Sequence, residues 1–563
     1  MRREASVVNK KVCSFPILFA LLALLIGTCA VVFPASAQAA PTSTGSITVS
    51  GTVASSYDAY QIFSANVVDG DSDAKIATDF TWASDAVHDA ALPVLHSAGM
   101  PNSQTTAQEA AEWLNTDSHL TSALSAQLAR SLQSSGAVSV PLNAGTTAEL
   151  PCGYWLIVAD DDAIAQGEAG TAPIMALVGG SAVAVKPKAA TPKVAKHVLE
   201  DSAAAWQKAA DATVADDLYW RLSATVPAGL SAYDTYAVQF VDTMSAGLDP
   251  SKVAASMRVY AAAGADGGFG AVQTDKDGRA GTEPAKGWTD ITAQCATKVA
   301  ADGKTFTVRT GDLIAALGGA DAFTAGARVV AVYNAPLNSA CNHGIAKGNP
   351  NEVYLRYPRS PFADQSGDAG FTSTPSDDAC AYTWDLALTK RSSDGDKPLA
   401  GAVLSIADDR GRTLAADGTW DAEGKATVIT GEDGRVTVSG VDSGKLEVRE
   451  LKAPKGYTAF EGTRSVTVKA EGLDVDQVAA AKPKLTITAE SPLRADSADG
   501  STGSLEASLI NTPTGTPPSI TTGGFMPSTG DMAMYAAAAA AVAGAALIVV
   551  ALLVKRGGGS HKE

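Results

Sequence analysis

Apolar and polar residues alternate with a period of two along much of the chain, a pattern that predicts β-strands with one buried face. From about residue 192 to 361, and again from 381 to 511, short alternating segments are separated by clusters of Gly, Asp and Asn. Short strands with frequent turns favour β-sandwich domains. Two such regions in succession predict tandem sandwiches.

The N-terminal region has a mixed pattern. Residues 46–53 and 154–158 are predicted strands, whereas residues 105–132 are rich in Ala, Leu, Gln and Glu with helical spacing. We therefore predict one or two helices in this region. The predicted fold class is mainly β, with tandem Ig-like β-sandwich domains of which the N-terminal one has added helices.

Both ends of the chain carry long apolar segments. Residues 15–33 are apolar, follow a basic start and precede the small residues 35–39, which predicts a secretory signal peptide over residues 1–39. Near the other end, residues 532–554 form an apolar run that is followed by Lys555 and Arg556. A helix of that length spans a bilayer, and the basic pair favours the cytoplasmic side. We expect everything between the two segments to be exported.

The remaining chain divides into several parts. We predict an N-terminal domain with its linker (residues 40–190), a middle domain (191–370), a C-terminal domain (381–512), a stalk (513–525) and a C-terminal segment (526–563). Pro187 and Pro192 indicate an extended linker before the middle domain, and the Pro/Gly-rich stalk is expected to be flexible.

The composition argues against several classes of function. The 563 residues have a formal net charge of -17 and no basic stripe, which disfavours nucleic acid as a partner. The histidines are scattered without metal-ligand spacing, and no Gly-rich phosphate loop follows a predicted strand. We therefore expect no metal, no cofactor and no enzyme active site.

Cysteine is sparse in the exported part of the chain. Four cysteines follow the signal peptide, and they permit two disulfides in three possible pairings: Cys152, Cys295, Cys341 and Cys380. Cys295 with Cys341 is the favoured pair, because both fall inside the predicted middle domain.

Three polar residues of the C-terminal domain fall on the buried face of their strands. Each continues the parity of apolar residues: Lys390 after Trp384, Leu386 and Leu388; Glu450 after Leu446 and Val448; Asn511 after Leu505, Ala507 and Leu509. One such residue alone is more often a strand end that reaches solvent. Three polar residues that each continue the buried face of their strand predict a shared buried site.

Burial of these groups predicts a reaction between them. A desolvated lysine tends to lose its proton, and a desolvated carboxyl group tends to keep one. Neutral Lys390 would then have a nucleophilic lone pair, and protonated Glu450 would hydrogen-bond the Asn511 carbonyl and make its carbon more electrophilic. Attack with loss of ammonia would leave an amide bond between Lys390 and Asn511.

The segments around this predicted site resemble domains of Gram-positive pilins. Leu388-Thr-Lys390, Glu450-Leu-Lys-Ala-Pro-Lys-Gly-Tyr457 and Leu509-Ile-Asn511-Thr-Pro513 are similar to the first strand, the E-box and the last strand of CnaB-type domains. Those domains form this intramolecular isopeptide bond with Lys, Glu and Asn in the same roles. Leu451 stands where the E-box usually has Thr.

The middle domain also aims three polar residues inward: Lys196, Asp242 and Asn351. Residues 192–196, 241–248 and 351–355 resemble the fimbrial isopeptide formation domain. The resemblance implies a bond between Lys196 and Asn351, with Asp242 as the acid that handles the proton. Which lysine and which asparagine face the core stays open, because Lys193 and Asn349 lie close by in the sequence.

Two further motifs resemble those of sortase substrates. Met526-Pro527-Ser528-Thr529-Gly530 is similar to the L-P-x-T-G sorting signal of Gram-positive surface proteins, with Met526 in place of Leu. It implies that a sortase cuts between Thr529 and Gly530 and transfers the Thr529 carbonyl to an amine. Residues 182–188 resemble the pilin motif Val-x-Val-Tyr-Pro-Lys, with Lys186 in place of Tyr, which implies Lys188 as that amine. Alternatively, Lys186 and Lys188 are ordinary linker charges.

Together the resemblances imply the shaft subunit of a covalently polymerised surface pilus that supports adhesion. The implied partners are a sortase, identical pilin subunits, peptidoglycan, tip or minor pilins and a host ligand. The implied location is the cell surface, anchored to the cell wall after a membrane-bound precursor. Two alternatives stay open: a monomeric wall-anchored adhesin built from the same domains, and an anchored surface enzyme.

Overall fold

The computed structural model of the chain describes residues 43–71, 74–116, 118–187, 190–264 and 286–515. Within them the protein consists of β-sheets in three successive units, which confirms the predicted mainly β fold class. None of the described helices combines the length and the apolar composition needed to cross a bilayer. The predicted signal peptide and the predicted span at residues 532–554 lie outside the described residues.

The N-terminal domain has two sheets and three helices. Its strands are β1 (Thr44–Val49), β2 (Ser56–Asp69), β3 (Lys75–Trp82), β4 (Val140–Asn143), β5 (Thr147–Pro151), β6 (Gly153–Ala159), β7 (Ile174–Val178) and β8 (Val183–Val185). Its helices are α1 (Asp85–Ser97), α2 (Ala107–Leu114) and α3 (Ser122–Ser135). One sheet has the order β5-β1-β8; the other has the order β3-β2-β6-β7, with β4 also paired to β2.

Capping residues explain where these helices begin and end. The Thr106 and Glu109 side chains form a capping box at the start of α2, and Ser84 caps α1 by accepting from a backbone N–H. Helix α3 ends at Gly136, whose φ of 77° is the left-handed conformation that glycine adopts readily. The apolar faces of the helices pack on the sheet that contains β2 and β6. Helices α2 and α3 lie in the region predicted to be helical, and α1 precedes it.

The middle domain is a sandwich of two large sheets. Its strands are β9 (Lys193–Glu200), β10 (Ala205–Gln207), β11 (Ala209–Asp211), β12 (Tyr219–Val226), β13 (Gln239–Met244), β14 (Arg258–Ala263), β15 (Thr289–Asp290), β16 (Ala296–Val299), β17 (Thr305–Arg309), β18 (Ala327–Asn334), β19 (Asn349–Pro358), β20 (Phe371–Ser373) and β21 (Asp377–Tyr382). Two short helices are α4 (Val253–Ser256) and α5 (Leu313–Ala316).

The order of one middle-domain sheet is β10-β9-β12-β18-β14-β15, and that of the other is β11-β21-β19-β13-β17-β16, with β20 also paired to β19. Trp220 and Tyr333 from the first sheet pack with Phe240 and Phe306 from the second in one apolar core. Strands β20 and β21 continue this domain beyond residue 370, the boundary expected from the sequence.

The C-terminal domain is a second sandwich. Its strands are β22 (Trp384–Ser392), β23 (Val403–Ala407), β24 (Thr413–Leu414), β25 (Trp420–Asp421), β26 (Val428–Ile429), β27 (Arg435–Val441), β28 (Gly444–Lys452), β29 (Tyr457–Thr458), β30 (Thr463–Glu471), β31 (Lys484–Ala489), β32 (Leu493–Asp499) and β33 (Ser504–Pro513). The first and last of these strands, β22 and β33, are parallel neighbours in one sheet, and β28 lies in the other sheet.

A buried carboxylate joins the middle and C-terminal domains. Oδ2 of Asp211, on β11, accepts from Trp384 Nε1 at 2.6 Å, from Ser443 Oγ at 2.6 Å and from Ser443 N at 2.8 Å. Both donors belong to the C-terminal domain. Hydrogen bonds to a charged acceptor are stronger than neutral ones, so these contacts help to hold the two sandwiches together.

The structure contradicts the favoured disulfide. Cys295 and Cys341 are both free thiols, and Cys152 and Cys380 are free as well. The Cys295 thiol lies 3.3 Å from Ile291 O beside β16, and burial raises its pKa to about 11. Cys341 lies in the loop after β18, where its backbone packs against Gly247. Both side chains pack in or against the same apolar core, but no bond joins them.

The carboxyl group of Glu200 should make the stability of the middle domain depend on pH. Burial and the nearby Asp211 carboxylate raise the pKa of Glu200 from 4.5 to about 8. The folded protein therefore holds this proton more tightly than the unfolded chain does. The resulting stabilisation is fully present below pH 4.5 and is lost as the pH rises towards 8.

Replacing Glu200 with Gln should remove this pH dependence. The Glu200→Gln protein should match the parent near pH 4 and exceed its free energy of unfolding by ~1–3 kcal/mol at pH 8. Urea unfolding across that range measures the difference between the two curves. Glu432→Gln, at an exposed carboxylate, is the control. Parallel curves for Glu200→Gln and the parent would contradict the assignment.

Candidate functional site

The structure brings the three polar residues of the C-terminal domain together in its core. Lys390 lies on β22, Asn511 on the parallel neighbour β33, and Glu450 on β28 in the facing sheet. Their exposures are 0%, 2% and 6%. In the register of the two parallel strands Lys390 pairs with Leu509, so that Asn511 is its diagonal neighbour on the same face. The long lysine side chain covers that offset.

The contacts within this cluster are direct. Lys390 Nζ donates to Asn511 Oδ1 and lies 3.0 Å from Glu450 Oε1. Asn511 Nδ2 donates to the same Glu450 oxygen at 2.9 Å. The other carboxyl oxygen of Glu450 accepts from Phe460 N at 3.1 Å, which holds the carboxyl group in place. One oxygen of Glu450 therefore contacts both the amine and the amide nitrogen.

The surroundings of Lys390 favour its neutral form. Burial lowers the pKa of Lys390 from 10.5 to about 8, although the charge of Glu450 acts in the opposite direction. The ring of Phe460, whose centroid lies 5.8 Å from Lys390 Nζ, also acts in favour of the charged form. A larger share of Lys390 thus has a free lone pair near neutral pH than an exposed lysine would have.

A second cluster lies in the core of the middle domain. Lys196 on β9 contacts Asp242 on β13, and both residues are completely buried. Lys196 Nζ also donates to the hydroxyl of Tyr333, on β18, at 2.9 Å. That hydroxyl donates to Asp242 Oδ2 at 3.1 Å and accepts from Asn351 Nδ2 at 2.8 Å. Asn351 lies on β19 and is also completely buried.

Tyr333 was not singled out from the sequence, although a signal was present. It shares the parity of Val329 and Ala331 on β18, so its ring points into the core. A buried tyrosine hydroxyl needs hydrogen-bond partners. The parity argument therefore predicts that the hydroxyl meets other inward polar groups, but it does not say which ones.

Burial also changes the acid–base behaviour of this second cluster. It lowers the pKa of Lys196 to about 8, against the effect of the Asp242 charge. Burial raises the pKa of Asp242, and the Lys196 charge limits that rise. Both shifts favour a neutral pair over an ion pair, as expected for groups removed from water.

Lys193 and Asn349, the alternatives to Lys196 and Asn351 in the sequence, occupy different environments. Lys193, at the start of β9, is exposed. Asn349 is buried, but its amide binds backbone groups: Oδ1 accepts from Asn342 N, and Nδ2 donates to Asn342 O and Ala381 O. Neither residue takes part in the contacts of Lys196 described above.

The predicted linking residues lie outside the described residues. This holds for Lys188, Thr529 and Gly530. The segment before Lys188 is described: β8 pairs in parallel with β1, Pro187 is buried and Lys186 is exposed. This segment is therefore held against the N-terminal domain, where the sequence had indicated an extended linker.

The described ranges contain no group of three or more His, Cys, Asp or Glu side chains arranged to hold a metal ion. His343 forms an ion pair with Asp385 at 2.8 Å, across the junction of the middle and C-terminal domains. That carboxylate raises the pKa of His343 to about 10. This histidine therefore joins two domains.

Solved structures of several pilins are similar to the chain. The T6 backbone pilin of Streptococcus pyogenes serotype M6 aligns over 84% of this chain and 98% of its own, with 17% identity and a TM-score of 0.44. The major pilin SpaD of Corynebacterium diphtheriae aligns over 84% of this chain and 100% of its own, with 15% identity and a TM-score of 0.40.

Two sequence comparisons give matches to shorter parts of the chain. The trypsin-resistant surface T6 protein of Streptococcus pyogenes serotype M6 is 29% identical over 143 residues, which are 24% of this chain and 24% of that protein. The family model of the SpaA prealbumin-like fold domain matches residues 385–482. That range includes Lys390 and Glu450 and ends before β33. The C-terminal domain is therefore similar to the SpaA prealbumin-like fold domain.

Proposed function

We propose that this protein is the structural shaft subunit of a covalently polymerised surface pilus, stabilised inside each subunit by lysine–asparagine isopeptide bonds. The observation that carries the proposal is the buried contact of Lys390 with Asn511 beside Glu450. The similarity of the chain to the T6 surface protein and to the SpaA prealbumin-like fold domain also supports the proposal. On this proposal the protein is not an enzyme: each cluster acts once, on its own chain.

The geometry of the C-terminal cluster suits bond formation. The Lys390 nitrogen attacks the Asn511 side-chain carbon, and a tetrahedral intermediate forms. Glu450 takes a proton from Lys390 and returns one to the amide nitrogen, since a single oxygen lies about 3 Å from both atoms. The C–N bond of the amide then breaks. The products are a Lys390–Asn511 amide and one ammonia molecule.

The observed amide orientation corrects the predicted contact of Glu450. The sequence predicted a hydrogen bond from Glu450 to the Asn511 carbonyl oxygen. In the structure the amide nitrogen faces Glu450, and the carbonyl oxygen faces Lys390. This orientation favours Glu450 as the group that protonates the departing ammonia.

The middle domain is proposed to form a second bond, between Lys196 and Asn351 with Asp242 as the acid. Its lysine is as deeply buried as Lys390 and has the same direction of pKa shift. The bond would join β9 in one sheet to β19 in the other. Opening this sandwich by force would then require breaking a covalent bond.

Polymerisation and anchoring are proposed to use the termini. A sortase cuts after Thr529 and joins its carbonyl to Lys188 of another subunit, and the last subunit is attached to peptidoglycan. The mature protein is therefore placed on the cell surface as part of a wall-anchored pilus, after a membrane-bound precursor. Force on such a fibre passes through every subunit, and resistance to unfolding under force is governed by the unfolding rate.

The internal bonds can be measured by intact mass. Recombinant residues 40–525 should be lighter than their sequence by about 34 Da, because each bond releases one ammonia of about 17 Da. Glu450→Gln should restore about 17 Da, since the isosteric amide cannot exchange the proton. Glu447→Gln changes an exposed acid on the same strand and should keep the parent's mass deficit relative to its own sequence. An unchanged mass in Glu450→Gln would show that Glu450 is not the assisting acid.

Loss of the Lys390–Asn511 bond should also lower stability. The bond closes a loop across a separation of 121 residues. In the chain-entropy treatment of crosslinks, a loop of this size contributes ~5 kcal/mol. Calorimetry of Asn511→Ala should therefore show the C-terminal domain melting on the order of 15 °C lower. A melting temperature equal to that of the parent would contradict a bond at this position.

Polymer formation tests the shaft function itself. Cell-wall extracts of the native host should contain SDS-resistant ladders that collapse to monomer in Lys188→Arg, while anchoring through Thr529 continues. Lys186→Arg is the matched control, since Lys186 is an exposed neighbour in the same segment. A ladder that survives Lys188→Arg would direct attention to Lys186 or Lys193. The absence of any ladder in the wild type would favour the monomeric wall-anchored adhesin.

A further inference from the structure

The two buried clusters differ in how the acid reaches the asparagine. In the C-terminal domain, Glu450 Oε1 contacts both Lys390 Nζ and Asn511 Nδ2. In the middle domain, the described hydrogen bonds of Asp242 go to Lys196 and Tyr333. Asn351 Nδ2 contacts the Tyr333 hydroxyl instead. Tyr333 therefore stands between the acid and the amide.

Strand register explains why Asp242 needs an intermediary. On adjacent antiparallel strands Asp242 is directly opposite Val353, and Asn351 is opposite Met244. Asp242 and Asn351 are thus diagonal neighbours on one face, with backbones about 7–8 Å apart. Both side chains are short and stand roughly perpendicular to the sheet. Glu450, by contrast, approaches its lysine and asparagine from the facing sheet and has one more methylene group.

Tyr333 fills this gap from the facing sheet. Its hydroxyl lies 2.9 Å from Lys196 Nζ, 3.1 Å from Asp242 Oδ2 and 2.8 Å from Asn351 Nδ2. The ring is completely buried and packs edge-on against Phe306, with 4.8 Å between centroids. A hydroxyl fixed in contact with the nucleophile, the acid and the leaving group is suited to pass a proton between them.

We propose that Tyr333 is a catalytic residue of isopeptide formation in the middle domain, where its hydroxyl relays a proton from Asp242 to the departing nitrogen of Asn351. This assignment rests on the proposed function, because it concerns how the Lys196–Asn351 bond forms. It gives the middle domain a cluster of four reacting groups, whereas three suffice in the C-terminal domain.

The reaction balances without an outside reagent. The Lys196 lone pair forms a bond to the Asn351 side-chain carbon, and the carbonyl electron pair moves to Oδ1. Asp242, which is protonated in the neutral pair, gives its proton to the Tyr333 oxygen while Tyr333 gives its own proton to Asn351 Nδ2. The resulting Asp242 carboxylate then takes a proton from the Lys196 nitrogen. The carbonyl reforms, the C–Nδ2 bond breaks, ammonia leaves, and both Asp242 and Tyr333 return to their starting protonation states.

The relay does not require Tyr333 to become charged. Burial and the Asp242 charge raise the pKa of Tyr333 well above 10. The tyrosine therefore accepts one proton as it gives up another. This behaviour distinguishes it from Asp242, which gives up its proton in one step and regains one in the next.

Replacing Tyr333 with Phe tests the relay, and the Lys390–Asn511 bond of the same molecule serves as the internal reference. Residues 40–525 would be synthesised in a cell-free reaction, stopped in acid at successive times and digested. Mass spectrometry would then quantify the branched peptides that contain Lys196–Asn351 and Lys390–Asn511. In Tyr333→Phe the first peptide should form on the order of 10²-fold more slowly, a usual contribution of general acid–base catalysis, while the second keeps the parent rate.

A tyrosine elsewhere in the same core provides the matched control. Tyr357 is completely buried on β19, and its hydroxyl donates to Gly167 O at 2.7 Å. Tyr357→Phe removes a buried hydrogen bond but should leave the rate of the Lys196–Asn351 bond unchanged. Equal slowing in Tyr333→Phe and Tyr357→Phe would mean that only packing was disturbed, and would overturn the relay.

Two further variants separate folding from catalysis. Asn351→Ala and Tyr333→Phe/Asn351→Ala both lack the bond, so equal melting temperatures would show that the phenylalanine is accommodated. Asp242→Glu/Tyr333→Phe should recover the bond to within about tenfold of the parent rate, since the longer acid reaches the amide as Glu450 does. Failure of this rescue in a folded protein would overturn the relay.

The outcomes also distinguish this inference from the proposed function. A parent protein without the Lys196–Asn351 peptide would refute the proposed bond of the middle domain, and the relay with it. A parent that forms the bond, together with a Tyr333→Phe protein that forms it equally fast, would leave the proposed function intact and refute the relay alone.

Discussion

The structure depends on the burial of two lysines in apolar cores. Lys196 and Lys390 are both 0% exposed, and each is surrounded by large apolar side chains. A buried ammonium group is costly, since the desolvation penalty can exceed the gain from its partner. The partner acids therefore hold a lysine that is easily neutralised. On the proposed function, conversion of each lysine to an amide would remove this cost permanently and leave a covalent tie across the core.

The same constraint orders the strands around each lysine. In the C-terminal domain the first and last strands are parallel neighbours, so the lysine and the asparagine share one sheet. In the middle domain they lie on opposite sheets, and the Tyr333 hydroxyl contacts both of them. The reactions proposed for the two domains therefore use different topologies. The side chains proposed to handle the proton differ accordingly: a glutamate in the C-terminal domain, and an aspartate beside a tyrosine in the middle domain.

Alternating hydrophobicity predicted most of the fold and the inward direction of the key residues. The period of two placed Lys390, Glu450 and Asn511 on buried faces, because parity along a strand is a local property. Contacts between strands are not local. The sequence could not show that the Asn511 amide nitrogen faces Glu450, or that Tyr333 lies between Asp242 and Asn351, because both depend on register across sheets.

Other features could not be predicted correctly from the sequence, for similar reasons. Helix α1 contains Pro93, a residue that disfavours helix interiors, and the tertiary packing of its apolar face overrides that local signal. The preference for a Cys295–Cys341 disulfide rested only on membership of one domain. Disulfides require close and well-oriented Cβ atoms, a condition that domain membership does not supply.

The attachment of β8 to β1 has a consequence for the N-terminal domain. This strand ends three residues before Lys188, and its neighbour in the sheet order, β1, belongs to that domain. In a polymer linked through Lys188 and Thr529, tension enters after β8 and leaves through the C-terminal domain. The N-terminal domain is then a side branch under no tension. In such a polymer this domain can unfold, be cleaved or diverge in sequence while the fibre stays continuous. It is therefore suited to be the part of the subunit that contacts the surroundings.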